Sequence, residues 1–384
     1  MAAYAPFCPV DVRILNKSQG EAAVREFLSA TPQKLLILVP LVLCTELSLA
    51  EFFTALQGDG HSVHLFTDIP SNPSVEHLSA LLRRLRVQDF APTAILAIGG
   101  GSCMDLAKGV SAFFYMPPSL TEPADALRQA IRDKAYQTHA HPFVDVIAMP
   151  TTAGTGSEVT KWATIWNPES NEKLSVDCPE CYARAAVLIP EWTAGMPAGL
   201  TLSTGLDALS HAMEAFWARA RTPLSQALAL SAIDNIRRFL PLALAEPGAP
   251  AFRREMCAAS LLAGLAFSQT RTTACHSLSY PLTMLHHIPH GYAAALTLAP
   301  VLRRNLAAVP EIGRIDALFA GEGGFERWLS AVTNGIQPLR LSAFNINITH
   351  LPALADLAFT AGRMDNNPVA FTRDEALDIL RECF

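Results

Sequence analysis

The sequence predicts an α/β domain with a parallel sheet over residues 1–190, followed by an all-helical domain over residues 191–384. The first half alternates short apolar segments with amphipathic ones, the order typical of strands joined by helical crossovers in a parallel sheet. Beyond about Glu191 the strand patterns mostly disappear, and long Ala- and Leu-rich helical patterns follow. A chain of 384 residues is long enough for two domains of ordinary size.

Periodicity and turn residues place the individual elements. The apolar runs predict strands at Leu35–Val39, Val63–Phe66, Ala94–Ile98 and Val144–Ala148. In the first domain helices are predicted at Glu46–Gln57 and Val75–Leu85, and the weakly patterned segment from Pro117 to Ala140 is predicted to be an exposed excursion. In the second domain helices are predicted at Thr204–Arg219, Leu224–Phe239, Phe252–Phe267 and Ala274–Leu285, with Pro241 as one of the residues that punctuate them.

The composition excludes several classes of protein. Half of the residues are hydrophobic and 17% are charged, as in compact globular proteins and unlike disordered chains. The net charge of −6 argues against nucleic acid or an anionic membrane as a partner. The longest apolar run, Leu35 to Leu43, contains Pro40 and is shorter than the roughly 18 residues that span a membrane. With no secretory signal and no disulfide-rich spacing among eight cysteines, we expect a cytoplasmic protein with reduced thiols.

Two loops of small residues follow predicted strands. Gly99–Asp105 opens a helix, so its backbone N–H groups and the helix N-terminus favour a phosphate, although the GxGxxG spacing is absent because position 104 is Met. Pro150–Glu158 interleaves Thr and Ser with Gly, and its hydroxyls suit phosphate or ribose oxygens. The plain alternatives are a Gly-rich turn and a helix cap by Ser157 or Thr155. Together, at one edge of a parallel sheet, the two loops favour nucleotide binding.

Four residues of the second domain have the spacing of metal ligands. Asp207 and His211 are spaced i, i+4 in a helical pattern, so both lie on one helix face and can hold one ion. His276 begins another helical pattern, and His290 follows fourteen residues later. Any one of these histidines alone is more often structural, but the order and spacing of the four favour a site. One carboxylate and three imidazoles suit Fe²⁺ or Zn²⁺.

Taken together, these motifs resemble the iron-containing (group III) alcohol dehydrogenases over nearly the whole chain. The matching segments are Lys34–Pro40, Ser71-Asn72-Pro73, Gly99–Asp105, Pro150–Thr160, Gly205–Glu214, His276, His290-Gly291 and Asn367-Pro368. The resemblance implies a Rossmann-like N-terminal domain, a helical metal-binding domain, an active-site cleft between them and a dimer or larger homo-oligomer. It also implies reduction of a small aldehyde to its primary alcohol, in which the ion polarises the aldehyde oxygen and the reduced nicotinamide delivers hydride.

The resemblance also assigns site residues. It implies metal ligation by Asp207, His211, His276 and His290, with Fe²⁺ as the family's ion and Zn²⁺ as the alternative. The cofactor, NADPH or NADH, is expected at Gly99, Gly100, Gly101, Ser102, Asp105, Thr151, Thr152, Thr155 and Lys173.

Two departures from the family pattern bear on the cofactor and the proton donor. Pro40 ends the first strand, where many NAD-specific members carry an Asp that repels a 2′-phosphate, so we expect NADPH to be accepted. Tyr280 lies four residues after His276, where relatives often have a second His. Tyr280 is therefore the candidate proton donor, with a half-buried aromatic side chain as the plain alternative.

A third departure concerns the substrate. Arg271 precedes His276 by five residues, Arg363 lies just before the C-terminal Asn-Pro, and Lys161 and Trp162 follow the second loop. Arg suits bidentate recognition of phosphonate, sulfonate or carboxylate, although most Arg and Lys side chains lie on the surface. The stretch Thr160–Trp166 also resembles the branch of the family that reduces phosphonoacetaldehyde to 2-hydroxyethylphosphonate. We therefore expect a small anionic aldehyde, with phosphonoacetaldehyde as the first candidate.

Three other functions are weighed against this one. A neutral short-chain alcohol dehydrogenase would use the same metal and cofactor without basic residues in its pocket. A lyase resembling dehydroquinate synthase would use NAD and a metal without net oxidation. A non-catalytic nucleotide sensor is disfavoured because the four predicted metal ligands are intact.

Overall fold

The structure, a computed structural model, describes residues 7–28, 31–169, 172–360 and 362–384. It divides into two compact units: Met1–Thr152 with Ser157–Thr193, and Ala153–Gly156 with Ala194–Phe384. A parallel sheet in the first unit and helices in the second confirm the predicted fold class. The boundary between residues 190 and 191 stays a prediction.

The first unit is built on a six-stranded parallel sheet. The strands in the described residues are β1 Asp11–Ile14, β2 Lys34–Leu38, β3 Ser62–Phe66, β4 Ala94–Gly99, β5 Asp145–Pro150, β6 Trp162–Asn167, β7 Glu172–Asp177 and β8 Ala185–Leu188. The sheet has the order β1-β8-β5-β4-β2-β3, while β6 and β7 pair as a separate antiparallel hairpin. The central strands β2 and β4 are buried on both faces, as their continuous apolar sequences predict. Gly99 pairs with Pro150, which brings the two small-residue loops to neighbouring strand ends.

Helices flank this sheet. Those of the first unit are α1 Lys17–Leu28, α2 Leu41–Glu46, α3 Ala50–Gly58, α4 Val75–Val87, α5 Gly101–Phe113, α6 Pro118–Thr121, α7 Ala124–Arg132 and α8 Ala135–Thr138. A capping box starts α4: the Ser74 hydroxyl accepts from the His77 backbone N–H, and the His77 ring accepts from the Ser74 backbone N–H. Just before it, Asn72 adopts a left-handed conformation (φ 57°) in the predicted Asn-Pro turn.

The second unit is helical throughout its described part. Its helices are α9 Ala198–Trp217, α10 Pro223–Ala245, α11 Pro250–Thr270, α12 Ala274–His286, α13 His290–Ala295, α14 Leu298–Asn305, α15 Gly313–Leu318, α16 Phe325–Thr333, α17 Leu351–Leu357 and α18 Arg373–Glu382. Helix α9 is buried along most of its length and packs against α10, α11 and α13. Gly205 permits this packing, since a Cβ there would lie 2.7 Å from the Leu240 side chain. No helix in the described residues is long and apolar enough to cross a membrane.

The structure corrects several sequence predictions. The single helix predicted at Glu46–Gln57 is wrong, because Ser48 (φ 51°) interrupts it and separates α2 from α3. The exposed excursion from Pro117 to Ala140 is also wrong: it forms α6, α7 and α8, and α7 buries Leu127 and Ile131. Pro241 does not end a helix but lies inside α10. Leu240 and Ala243, which precede and follow it in the sequence, are buried and keep the helix packed at this point. Strands β1 and β8 and the hairpin β6–β7 were not predicted.

Candidate metal centre and nucleotide loops

One face of α9 carries two carboxylate side chains and one imidazole side chain. Asp207, His211 and Glu214 follow one another at i, i+4 and i+7, and all three are buried. The first turn of α12 brings His276 to the same place, and α13 begins at His290. Four of these five side chains are buried, and they require partners because unpaired buried charge is costly.

The donor atoms of this cluster surround a common point. Asp207 Oδ1 lies 3.7 Å from His276 Nε2 and 3.9 Å from His290 Nε2, and the donor atoms of these three residues all lie within 4.8 Å of one another. His211 lies beside them, with Nδ1 3.9 Å from Asp207 Oδ2 and its ring stacked on His276 at 4.5 Å. The structure therefore brings together all four residues predicted to bind metal, with His211 adjacent to the tighter group of three.

The cluster fits a divalent metal ion. Asp207 Oδ1, His211 Nδ1 and His276 Nε2 are buried and have no hydrogen-bond partner in the described residues. Their separations exceed hydrogen-bond length. However, two donors on either side of one ion, at about 2.0–2.2 Å each, can lie up to roughly 4.4 Å apart. A carboxylate with imidazoles is a donor set for Fe²⁺ or Zn²⁺.

Glu214 supports the cluster, and the sequence analysis gave it no role. Its Oε2 bonds closely with His276 Nδ1, while Oε1 accepts from the backbone N–H of Thr273 (3.0 Å), Cys275 (2.8 Å) and His276 (3.2 Å). It also accepts from the Thr273 hydroxyl at 2.8 Å. A carboxylate bonded to one ring nitrogen fixes the tautomer and turns the other nitrogen outward, the arrangement found behind metal-bound histidines. The i+7 spacing from Asp207 was the available sequence signal.

Charges within the cluster set the protonation states. Burial alone would raise the pKa of Asp207, but the neighbouring imidazoles lower it overall. Burial lowers the pKa of His211 to about 4, whereas Glu214 raises the pKa of His276 to about 9 against the opposing effect of burial. Near pH 7, Asp207 is therefore a carboxylate and His211 a neutral imidazole, the forms that bind cations, and binding at His276 displaces a proton.

Two further residues shape this centre. Tyr280, on α12, stacks its ring on His290 with a centroid distance of 6.2 Å and an interplanar angle of 9°, so the predicted proton donor lies at the cluster. Gly291 lets α13 approach α9, since a Cβ there would lie 1.8 Å from the carbonyl oxygen of Ser203. The His-Gly pair of the sequence therefore combines a donor with the close approach that positions it.

The first small-residue loop has the build of a phosphate cradle. Gly100 is the N-cap of the thirteen-residue helix α5, and a Cβ on it would lie 3.3 Å from the Thr152 hydroxyl. The Thr151 backbone N–H donates to the Gly99 carbonyl at 3.0 Å, which joins the two loops. The Ser102 hydroxyl accepts from the Asn72 backbone N–H at 3.1 Å. Gly99–Ser102, Thr151 and Thr152 thus lie together at the carboxyl edge of the sheet, where α/β folds bind ligands.

Asp105 organises the loop from inside the first unit. One carboxylate oxygen accepts from the Ser157 hydroxyl (2.9 Å) and the other from the Thr164 backbone N–H (3.1 Å). Burial raises the pKa of Asp105, opposed by the nearby charges of Lys108 and Lys173. Lys173 lies on β7 with Nζ 5.9 Å from the centre of the Trp166 ring.

Lys108 is a second residue that the sequence analysis passed over. It is fully buried on α5, and its ammonium group donates to the carbonyls of Ser157 (2.6 Å), Thr160 (2.8 Å) and Trp162 (2.9 Å). The available sequence signal was a lysine one helical turn after Asp105, in a helix that is otherwise mostly apolar. Lys108 holds the segment that follows the second loop.

The glycines of the second loop serve close packing in the helical unit. A Cβ on Gly154 would lie 2.6 Å from the backbone oxygen of Thr204 on α9, and one on Gly156 would lie 2.6 Å from the Cα of Gly264 on α11. Gly156 also has a φ of +60°, which favours glycine. Thr155 lies between them. Close packing therefore explains why glycine occupies both positions, in addition to the role in nucleotide binding that the sequence predicts for this loop.

The basic residues predicted to bind substrate fall into two groups. Arg271 Nη1 lies 3.2 Å from the position of a Cβ on Gly362, and Arg363 Nη1 donates to the Gly362 carbonyl at 3.0 Å, so both guanidinium groups meet at one glycine of the helical unit. Lys161 instead forms an ion pair with Asp177 at 3.2 Å within the first unit. Trp162 begins β6. A role of any of these four residues in binding substrate stays a prediction.

Comparison with known proteins defines the family. Residues 13–190 match the iron-containing alcohol dehydrogenase family, and residues 201–384 match the C-terminal part of the Fe-containing alcohol dehydrogenase family. The chain belongs to the iron-containing alcohol dehydrogenases. It is therefore an oxidoreductase of alcohols and aldehydes, which confirms the resemblance seen in the sequence.

Individual relatives span most of this chain. Phosphonoacetaldehyde reductase from Streptomyces viridochromogenes is 34% identical over 343 residues, which cover 82% of this chain and 81% of that protein. 1,3-Propanediol dehydrogenase from Klebsiella pneumoniae is 31% identical over 345 residues, covering 86% and 85%. Among solved structures, sulfoacetaldehyde reductase from Bifidobacterium kashiwanohense in complex with NAD⁺ has a TM-score of 0.82 at 28% identity, covering 100% of this chain and 98% of that one.

Proposed function

We propose that this enzyme reduces a small anionic aldehyde to its primary alcohol with NADPH or NADH, and that phosphonoacetaldehyde is its first candidate substrate. The observation that carries the proposal is the convergence of Arg271 and Arg363 on Gly362. Both belong to the helical unit that also contains the candidate metal centre.

The metal centre supports the reduction itself. Asp207, His211, His276 and His290 would hold Fe²⁺, with Zn²⁺ as the alternative ion that the same donors suit. When bound, the ion would polarise an aldehyde oxygen and the reduced nicotinamide would supply hydride. Glu214 keeps His276 oriented, and Asp207 supplies the negative charge that attracts the cation.

Tyr280 is the group that we assign to proton donation. Its phenol is the proton-bearing side chain that replaces the family's second His, and its ring lies against His290. A phenol hydroxyl can donate a proton to an adjacent oxygen. Only a small part of this side chain is exposed, which limits proton exchange with bulk water.

The backbone at Arg271 indicates a functional constraint. Arg271 is the C-cap residue that follows α11, with φ 62° and ψ 178°, a region that is otherwise almost restricted to glycine. A non-glycine residue there costs on the order of 1–3 kcal/mol and persists where surrounding structure or function maintains it. Two residues further on, Thr273 bonds to Glu214, so this strained position is directly connected with the support of the metal centre.

Two relatives also support an anionic substrate. The reductases named for phosphonoacetaldehyde and sulfoacetaldehyde both act on two-carbon aldehydes with an anionic group. The relatives named for 1,3-propanediol and 1-propanol favour the second candidate, a neutral short-chain alcohol dehydrogenase.

Cofactor preference follows from the first strand. Pro40 comes immediately after β2 and Val39, and its Cδ lies 3.4 Å from the position of a Cβ on Gly99, beside the phosphate loop. Because a proline has no carboxylate to repel a 2′-phosphate, we propose that NADPH is accepted as well as NADH. The homodimer and the cytoplasmic location expected from the sequence stay predictions.

The direct test is steady-state reduction by Fe²⁺-loaded enzyme, followed by loss of nicotinamide absorbance. Phosphonoacetaldehyde, sulfoacetaldehyde and propanal are compared under NADPH and under NADH. The proposal predicts a kcat/KM at least tenfold higher for the anionic aldehydes. Equal or faster turnover of propanal would establish the neutral alcohol dehydrogenase instead.

A further inference from the structure

Two of the cysteines, which the sequence analysis expected only as reduced thiols, form a Cys-x-x-Cys pair. Cys178-Pro179-Glu180-Cys181 follows β7 directly, and Pro179–Cys181 forms one turn of 3₁₀ helix with Cys178 as its N-cap. The Cys181 backbone N–H donates to the Cys178 carbonyl at 3.0 Å and closes the turn. Residues at i and i+3 eclipse one another in a 3₁₀ turn, so the fold places both thiols on the same side.

The two sulfur atoms are already in contact. Their Sγ atoms lie 3.2 Å apart, joined by a hydrogen bond, and the residues are 2% and 1% exposed. Pro179 and Glu180, which lie between them, are exposed. The pair therefore lies directly beneath an exposed turn, where we expect a small oxidant to reach it more readily than a bulky one.

We propose that Cys178 and Cys181 are an oxidisable dithiol that hydroperoxides convert reversibly to a disulfide. The proposal is independent of the substrate of the enzyme. The sulfur atoms need to approach by only about 1 Å, from 3.2 Å to the S–S bond length of about 2.05 Å. In an i, i+3 turn that already holds the two side chains together, this requires little movement of the backbone.

The hydrogen bond between the thiols assigns their roles. A bond to Cys181 lowers the pKa of Cys178, and the same bond raises the pKa of Cys181 well above its ordinary value. Cys178 is thus the more acidic thiol and the nucleophile of the proposal, and Cys181 is the resolving thiol. By contrast, burial raises the pKa of Cys103 far above its ordinary value, which leaves that thiol inert.

The chemistry balances with one molecule of hydrogen peroxide, the simplest hydroperoxide. The Cys178 thiolate attacks a peroxide oxygen, so an S–O bond forms, the O–O bond breaks, and the departing hydroxide takes a proton to become water. The Cys181 sulfur then attacks Cys178, so the S–S bond forms and the S–O bond breaks. The second oxygen leaves as water with the Cys181 proton. Two thiols lose two electrons in total, and the peroxide accepts them.

The position of the pair connects it with the nucleotide domain. The 3₁₀ turn packs against α5, the helix that begins within the first small-residue loop. Cys181 lies close enough to Lys108, the buried lysine of that helix, for the two side chains to interact electrostatically. Oxidation therefore changes the surroundings of the side chain that holds the segment from Ser157 to Trp162.

The experiment maps each cysteine by mass spectrometry. The full-length reduced enzyme is exposed to hydrogen peroxide and quenched in acid. Free thiols are alkylated under denaturing conditions, and the disulfides are then reduced and alkylated with a second reagent. We expect the second label on Cys178 and Cys181 together, and its loss when dithiothreitol precedes the quench. Cys103 should keep the first label.

Cysteine variants distinguish oxidation of the Cys178–Cys181 pair from nonspecific oxidation of other thiols. Cys181→Ser should trap a sulfenic acid at Cys178 that dimedone captures, and Cys178→Ser should abolish the disulfide. Cys178→Ala is a second variant in case serine disturbs folding, which thermal unfolding would show. Cys44→Ser is the matched control, because Cys44 is a more exposed thiol; it should leave the disulfide unchanged. Oxidation of Cys44 before the pair, or a pair that remains reduced, would overturn the proposal.

Discussion

Glu214 bonds to Nδ1 of His276 and leaves Nε2 of the same ring facing Asp207 Oδ1 at 3.7 Å. Glu214 does not belong to the predicted donor set, yet it determines which ring nitrogen of His276 faces the other donors. Two helices, α9 and α12, meet through this contact, and the backbone of the first turn of α12 bonds to the same carboxylate.

Replacing Glu214 by Gln should weaken metal binding. The amide keeps the volume but removes the negative charge that fixes the His276 tautomer, so we expect Fe²⁺ affinity to fall about 10- to 100-fold. Competition titration with a chelator measures it. The matched control is Glu246→Gln at an exposed position just after α10, and an affinity loss no greater than that of this control would contradict the role of Glu214.

Metal binding should stabilise the fold only when the cluster is intact. At an Fe²⁺ concentration about 100 times the dissociation constant, binding to the folded state adds about 2.7 kcal/mol to the free energy of unfolding. Asp207→Ala removes the carboxylate and should abolish the increase. Thermal unfolding with and without Fe²⁺ under anaerobic conditions checks this, and an equal increase in the variant would place the ion elsewhere.

Gly291→Ala should displace His290. The added methyl group would lie 1.8 Å from the Ser203 carbonyl oxygen, so α13 must move away from α9. We expect a loss of about 1–3 kcal/mol in the free energy of unfolding together with reduced metal content. Gly248→Ala is the control, because a Cβ there meets nothing within 4 Å. Full metal content in the Gly291 variant would show that His290 needs no such positioning.

The strain at Arg271 predicts opposite effects on stability and binding. Arg271→Gly relieves the positive φ and should raise the free energy of unfolding by about 1 kcal/mol, while Arg271→Ala retains the strain and should not. Both variants lose the guanidinium and should raise KM for phosphonoacetaldehyde tenfold or more. Chemical denaturation and steady-state kinetics measure the two effects, and a stable Gly variant with unchanged KM would return Arg271 to a structural role.

Pro40→Asp should change the cofactor preference. A carboxylate beside Gly99 would repel a 2′-phosphate, so kcat/KM for NADPH should fall at least tenfold relative to NADH. Pro40→Ala is the control that removes the ring without adding charge. If the two variants behave alike, the end of β2 does not contact the ribose.

Local patterns in the sequence were sufficient to predict most of the fold and the donor set of the candidate metal centre. The buried runs of β2 and β4 and the i, i+4 spacing of Asp207 and His211 are short-range signals. Strands β1 and β8 could not be predicted this way, since they are four residues each and are defined by pairing with one another across the domain. The conformation of Arg271 was equally hidden, because nothing about an arginine marks a position that glycine would normally occupy.

The central claim is that Arg271 and Arg363 recognise the anionic group of the substrate. The most direct test is kcat/KM for phosphonoacetaldehyde and for propanal in the double variant Arg271→Ala/Arg363→Ala, with Arg381→Ala at an exposed ion pair as control. We predict a loss of about 100-fold or more for phosphonoacetaldehyde and little change for propanal. An equal loss for both aldehydes, or no loss for either, would contradict the account.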